Sequence, residues 1–153
     1  MADQPEPPNV RETALAWESL FRCQVTIMRR LQTLPDFREL NMREYDVLFN
    51  LKRAPDCGLR LGDLNEHLLL SQPSLSRMID RLVTRGLVAR IADPADARAV
   101  LITLTEAGAE VQQRIGRAHV RHINEVMAEG LSRDELCQLR RLTQALSDSV
   151  GPS

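Results

Sequence analysis

The sequence predicts a mainly α-helical chain with one small β-hairpin (α+β), and three observations carry that expectation. Apolar residues recur at helical spacing over most of the 153 residues. Asn-x-x-Glu, Ser-x-x-Glu and Gly or Pro punctuation marks the helix ends. The stretch from Leu87 to Leu104 instead shows short β-branched and apolar runs around an Asp-Pro turn signal.

Taken in order, residues 1–10 are acidic and proline-rich, which predicts a disordered lead-in rather than a secretory signal. Residues 11–34 form a long helix with Trp17, Leu20, Ile27, Leu31 and Leu34 on one stripe, ended by Pro35. Asn41-x-x-Glu44 opens a second helix whose apolar side is Tyr45, Val47, Leu48 and Leu51. An extended piece, Leu59–Leu61, leads to a helix over Gly62–Leu70. Ser71 then has the position and chemistry of an N-cap, with Pro73 in the first turn, where a missing N–H is harmless. Leu75, Met78, Ile79 and Leu82 repeat as i, i+3, i+4, i+7, and Gly86 stops that helix.

Leu87–Ile91 and Val100–Leu104 read as a hairpin with an eight-residue loop, residues 92–99, rather than a tight turn. Thr105 caps a helix running to about Glu129, with Val111, Ile115, Ala118, His122 and Val126 on one side. Ser132-x-x-Glu135 opens a last helix bearing Leu136, Leu139, Leu142, Leu146 and Val150. The first and last helices carry more apolar surface than a domain at residues 35–104 can cover. This predicts a homodimer built from residues 11–34 and 105–153.

Two helices joined tightly, the second bearing short polar groups and arginines, have the layout of a helix-turn-helix. With the apolar residues facing inward, Ser71, Gln72, Ser74, Ser76, Arg77 and Arg81 are the candidate contacts to double-stranded DNA. Arg90 and Arg98 on the hairpin are candidates for the neighbouring minor groove, with Asp96 supporting Arg98 by a local ion pair. A net charge of −1 argues against a uniformly basic coat but leaves room for a local basic surface.

These residues resemble the MarR family. The likeness runs through Leu61-Gly62-Asp63-Leu64, the segment Leu70–Leu82, Arg85-Gly86-Leu87-Val88, Asp93–Ala99 and Leu101–Gly108. It implies a winged helix-turn-helix dimer on palindromic operators, a transcriptional repressor released by a small ligand or by oxidation. It also makes Arg98 similar to the family's wing-tip arginine and Asp96 to its supporting acid. Asn65 stands where members often have alanine.

The ligand crevice implied by the resemblance would be lined by Trp17, Phe21, Tyr45, Asp46, Phe49 and Arg53, which faintly resembles members responding to aromatic acids. Cys23, in the first helix, is the candidate for a thiol-based redox sensor, with Arg22 as its only basic sequence neighbour. Cys57 has nothing around it that suggests activation. His119 and His122 have a chelating spacing but are flanked by Arg117 and Arg121, so no metal or cofactor is expected. No nucleophile–base pair or phosphate-cradling glycine loop points to an enzyme. A winged helix used for protein–protein contact is the remaining alternative. With no stretch of ~18 apolar residues, the expected place of action is the cytoplasm.

Overall fold

The first helix begins where a reciprocal cap satisfies its free amides. Asn9 Oδ1 accepts the Glu12 N–H at 3.0 Å and the Glu12 carboxylate accepts the Asn9 N–H at 2.9 Å. The computed structural model describes residues 7–54, 58–66, 68 and 70–151, so Cys57 lies outside the described residues. The chain divides into two units, residues 1–34 and 35–153.

The first unit is α1, Val10–Gln32. Val10 is therefore helical rather than part of the lead-in, because Asn9 supplies a capping box that the sequence reading passed over. Along α1, Trp17, Leu20 and Phe21 are exposed, and the Trp17 and Phe21 rings stack at 6.4 Å.

The second unit opens with a 3-10 turn, Pro35–Phe37, then α2, Met42–Arg53. The Asn41/Glu44 box forms in both directions, at 3.0 and 3.2 Å. Strand β1, Leu59–Arg60, is followed at once by α3, Leu61–Glu66, which is shorter than the Gly62–Leu70 helix expected. Helix α4, Gln72–Thr84, buries Leu75, Met78, Ile79 and Leu82, the four residues that the 3.6-residue period selected. Val47, Leu48, Leu64, Leu87 and Val88 are buried as well. Ser71 takes the N-cap position, but its hydroxyl makes no cap bond and donates to Ser74 Oγ at 2.8 Å instead.

Helix α4 closes in a Schellman arrangement. Gly86, at φ +71°, donates to the Val83 carbonyl at 2.9 Å, and Leu87 donates to the Leu82 carbonyl at 3.0 Å. Strands β2, Val88–Asp93, and β3, Asp96–Leu104, follow. The eight-residue hairpin loop is corrected here: the strands run to a two-residue turn at Pro94–Ala95. Asp93 makes this possible by accepting the Ala95 N–H at 2.8 Å, an Asx turn that the proline favours. Irregularity survives on one side, where the register steps from Ala92↔Val100 to Asp93↔Asp96 and bulges residues 97–99. Strand β1, within the extended piece expected at Leu59–Leu61, pairs antiparallel with β3, so the hairpin becomes a three-stranded sheet in the order β1-β3-β2.

Helices α5, Glu106–Gly130, and α6, Arg133–Val150, complete the unit. Thr105 caps α5 at the Gly108 N–H, 3.0 Å, and the Ser132/Glu135 box opens α6. On α6, Leu139, Leu142, Leu146 and Val150 are exposed. Among the described residues no helix is long and apolar enough to cross a membrane.

His119 of α5 packs edge-on against Phe37 and Tyr45, at 5.2 and 5.5 Å, and its Nδ1 is buried. Burial first, and then His122, hold its pKa below the ordinary histidine value, while Asp36 acts the other way. The folded state therefore resists a proton that the unfolded chain accepts. Stability from this site is complete above about pH 6.5 and is lost as the pH falls below it. Thermal unfolding should show Tm declining from about pH 7.5 to about pH 5.5. His119→Gln should flatten that decline; an unchanged slope would show that other groups set it.

Candidate nucleic-acid interface

The polar face of α4 opposes its buried stripe. Ser71, Gln72 and Arg77 are exposed, while Ser74 and Ser76 are half-buried, so the short side chains sit close to the helix surface. Arg98 is exposed just beyond the wing turn. Among the described residues neither Arg77 nor Arg98 has an ion-pair partner, which leaves both guanidinium groups available to a polyanion.

The other two assigned arginines are engaged within the fold. Arg90 of β2 pairs with Asp80 of α4 at 2.7 Å, tying the wing to the helix. Arg81 lies 3.8 Å from Glu44, and Arg85 approaches the same carboxylate at 3.5 Å. Glu44 is only 7% exposed, so its cap bonds to Asn41 and these two cations are what make a buried carboxylate tolerable. Arg85 also donates to the Glu39 carbonyl at 2.8 Å, and the Glu39 carboxylate accepts from Arg114 of α5 at 2.6 Å. Sequence reasoning saw Glu44 only as a helix cap and missed Glu39 and Arg114, whose partners are distant in sequence.

The wing is braced differently from the expectation. Asp96 supports Arg98 through the backbone, its Oδ1 accepting the Arg98 N–H at 3.1 Å. Its ion-pair contact is with Arg60, at 3.7 Å, rather than with Arg98. Arg60 also donates twice to Asp93 Oδ2, from Nε at 3.0 Å and Nη2 at 2.6 Å. The Ala95 N–H and then Arg60 hold the Asp93 carboxyl below the usual carboxylate range.

The six ligand candidates fall in both units, Trp17 and Phe21 in the first and the other four in the second. On α2, Tyr45 is buried, its ring 6.2 Å from that of Phe49, and the Arg53 guanidinium lies 5.5 Å over the Phe49 ring. Asp46 is half-buried, and burial raises its pKa. Cys23 is exposed, but Arg22 is directed to Glu18 at 2.7 Å rather than to the thiol. His122 Nδ1 lies 3.1 Å from Asp36 Oδ2, and among the described residues no three His, Cys, Asp or Glu side chains converge on a metal position.

Known proteins share this framework. Residues 39–99 match the MarR family. The multiple antibiotic resistance protein MarR of Escherichia coli is 32% identical over 80 residues, 52% of this chain and 56% of that protein, so the alignment spans about half of the relative. Among solved structures, Sco3205 of Streptomyces coelicolor, a MarR family transcriptional regulator in complex with DNA, superposes with a TM-score of 0.77. It is 23% identical and covers 99% of this chain and 94% of its own. CouR of Rhodococcus jostii, bound to p-coumaroyl-CoA, has a TM-score of 0.69 at 25% identity, covering 83% and 87% of the two chains. The expected mainly helical fold with a small β-hairpin is thus shared with these solved structures as a winged helix-turn-helix, and the match to the MarR family itself covers residues 39–99.

Proposed function

We propose that the protein is a dimeric, sequence-specific DNA-binding transcriptional regulator, not an enzyme, and that it represses from an inverted-repeat operator. The observation that carries this reading is the pair of exposed arginines without partners among the described residues, Arg77 on α4 and Arg98 on the wing. Arg77 reads base edges in the major groove and Arg98 reaches the flanking minor groove. The free amides at the start of α4, beside Ser71 and Gln72, hold phosphate. The DNA in the Sco3205 structure supports the same use of this fold.

Dimerisation is supported by the apolar residues that α1 and α6 each leave exposed, Trp17, Leu20 and Phe21 on one and Leu139, Leu142 and Leu146 on the other. Control by a ligand with an aromatic group is supported by the p-coumaroyl-CoA, an aromatic acyl thioester, bound to CouR. Arg53 and Phe49 on α2 offer a cation and a ring face suited to such a ligand.

Footprinting the purified protein on genomic DNA tests this. The expected pattern is protection of an inverted repeat with half-sites about one helical turn apart, lost on adding an aromatic acid. Absence of protection at low salt overturns DNA binding. Protection lost with peroxide and not with acids replaces the ligand by an oxidation signal.

A further inference from the structure

The end of the hairpin contains a conflict. Asp93 and Asp96 stand opposite each other in the strand register, and like charges so placed repel. Asp93 is also buried, 8% exposed, where a carboxylate without a countercharge is costly. Both costs are met by Arg60, which lies on the far side of β3 in the sheet order and reaches over it. Its guanidinium holds Asp93 Oδ2 at 2.6 Å and lies 3.7 Å from Asp96 Oδ2.

The remaining oxygen of each carboxylate faces the backbone. Asp93 Oδ1 accepts the Ala95 N–H at 2.8 Å, and Asp96 Oδ1 accepts the Arg98 N–H at 3.1 Å. One guanidinium therefore orients two carboxylates, which in turn fix the turn and the backbone of Arg98. Arg60 also adjoins α3, which begins at Leu61, so the brace joins the wing to the helix-turn-helix.

We propose that Arg60 is a positioning residue of the DNA interface: through Asp93 and Asp96 it sets where the wing presents Arg98. The proposal rests on the DNA-binding reading above. It places an affinity-setting residue on β1, outside both the recognition helix and the wing.

Asp93→Asn tests it by the sign of the effect. An asparagine amide oxygen still accepts the Ala95 N–H, but the ion pair is lost. Removing a negative charge near phosphate would by electrostatics alone tighten binding to a mixed-sequence duplex at low salt. The brace predicts weaker binding, approaching the loss of about tenfold or more expected for removing Arg98 itself. Arg60→Gln should weaken binding similarly and Arg60→Lys less, since a lysine restores the charge without the two-pronged grip. In an Arg98→Ala background, Arg60→Gln should have almost no further effect.

Amide exchange on the free full-length protein supplies a readout independent of DNA. Arg60→Gln should speed exchange at Ala95 and Arg98 and leave the amides of α4 unchanged. Tighter binding by Asp93→Asn overturns the proposal. So does an Arg60→Gln loss that persists in the Arg98→Ala background, which would make Arg60 a direct phosphate contact. Unchanged exchange at Ala95 and Arg98, or exchange that rises through α4 as well, also overturns it. If the wild-type protein binds no duplex, the DNA-binding reading fails, while the exchange data still decide whether the brace exists.

Discussion

Gly108→Ala is expected to lower Tm by roughly 10 °C, with a loss of about 3 kcal/mol. Gly108 is in the first turn of α5, and a Cβ there would drive into the Leu87 carbonyl oxygen and lie 3.0 Å from Leu104 Cδ1. The same corner is tied down twice more. Thr105 Oγ donates to the Gly86 carbonyl at 2.7 Å, and the Thr105 N–H donates to the Leu87 carbonyl at 3.2 Å. Backbone packed on backbone cannot yield as a flexible side chain can. The clash therefore outweighs the gain of about 1 kcal/mol that alanine brings to a helix. Gly62→Ala is the control, because nothing lies within 4 Å of its added Cβ; there the propensity gain should appear as an equal or higher Tm. Calorimetry on the two variants checks both signs. An unchanged Tm for Gly108→Ala would mean that the α4–α5 corner is looser than the geometry described above.

Arg98→Ala and Arg77→Ala are expected to weaken operator binding by about tenfold or more each, without change in Tm, and to differ in kind. Arg98, at the wing, should lower affinity for all sequences of similar groove shape. Arg77, on the recognition helix, should also relax the base preference. Arg90→Ala should act differently again, since it breaks the 2.7 Å pair with Asp80 and loosens the wing against α4. A binding series over operator variants separates the three. Equal preference profiles for the Arg77→Ala and wild-type proteins would remove Arg77 from base reading.

What could be read from the chain was local. The buried stripe of α4 follows from helical periodicity, and the boxes at Asn41/Glu44 and Ser132/Glu135 follow from groups three residues apart. Gly86 was legible because a left-handed residue after an apolar stripe has few alternatives to glycine. The wing turn was misjudged because what tightens it is not local. Arg60 and Asp93 are 33 positions apart, and an Asp-Pro pair suits a short turn or a long loop equally well.

The same limit applies to the arginines. Periodicity places Arg77 and Arg81 on the outward side of α4, yet it cannot reveal that Glu44 lies beside Arg81 and Arg85. Strand β1 was seen as extended, but its pairing with β3 depends on a register set more than 40 positions away. Of the four arginines assigned to DNA contact, Arg81 and Arg90 have a carboxylate beside them, and Arg77 and Arg98 have none among the described residues.

Affinity for duplex DNA as a function of salt tests the central claim most directly. If the protein engages DNA through arginine–phosphate contacts, log K falls linearly with log salt, with a slope of about −0.9 for each phosphate neutralised. A steep slope for the wild-type protein is the predicted result, made shallower by about one unit per site in Arg98→Ala. A flat dependence, or no binding at low salt, would contradict the account and leave the winged helix as a surface for protein contact.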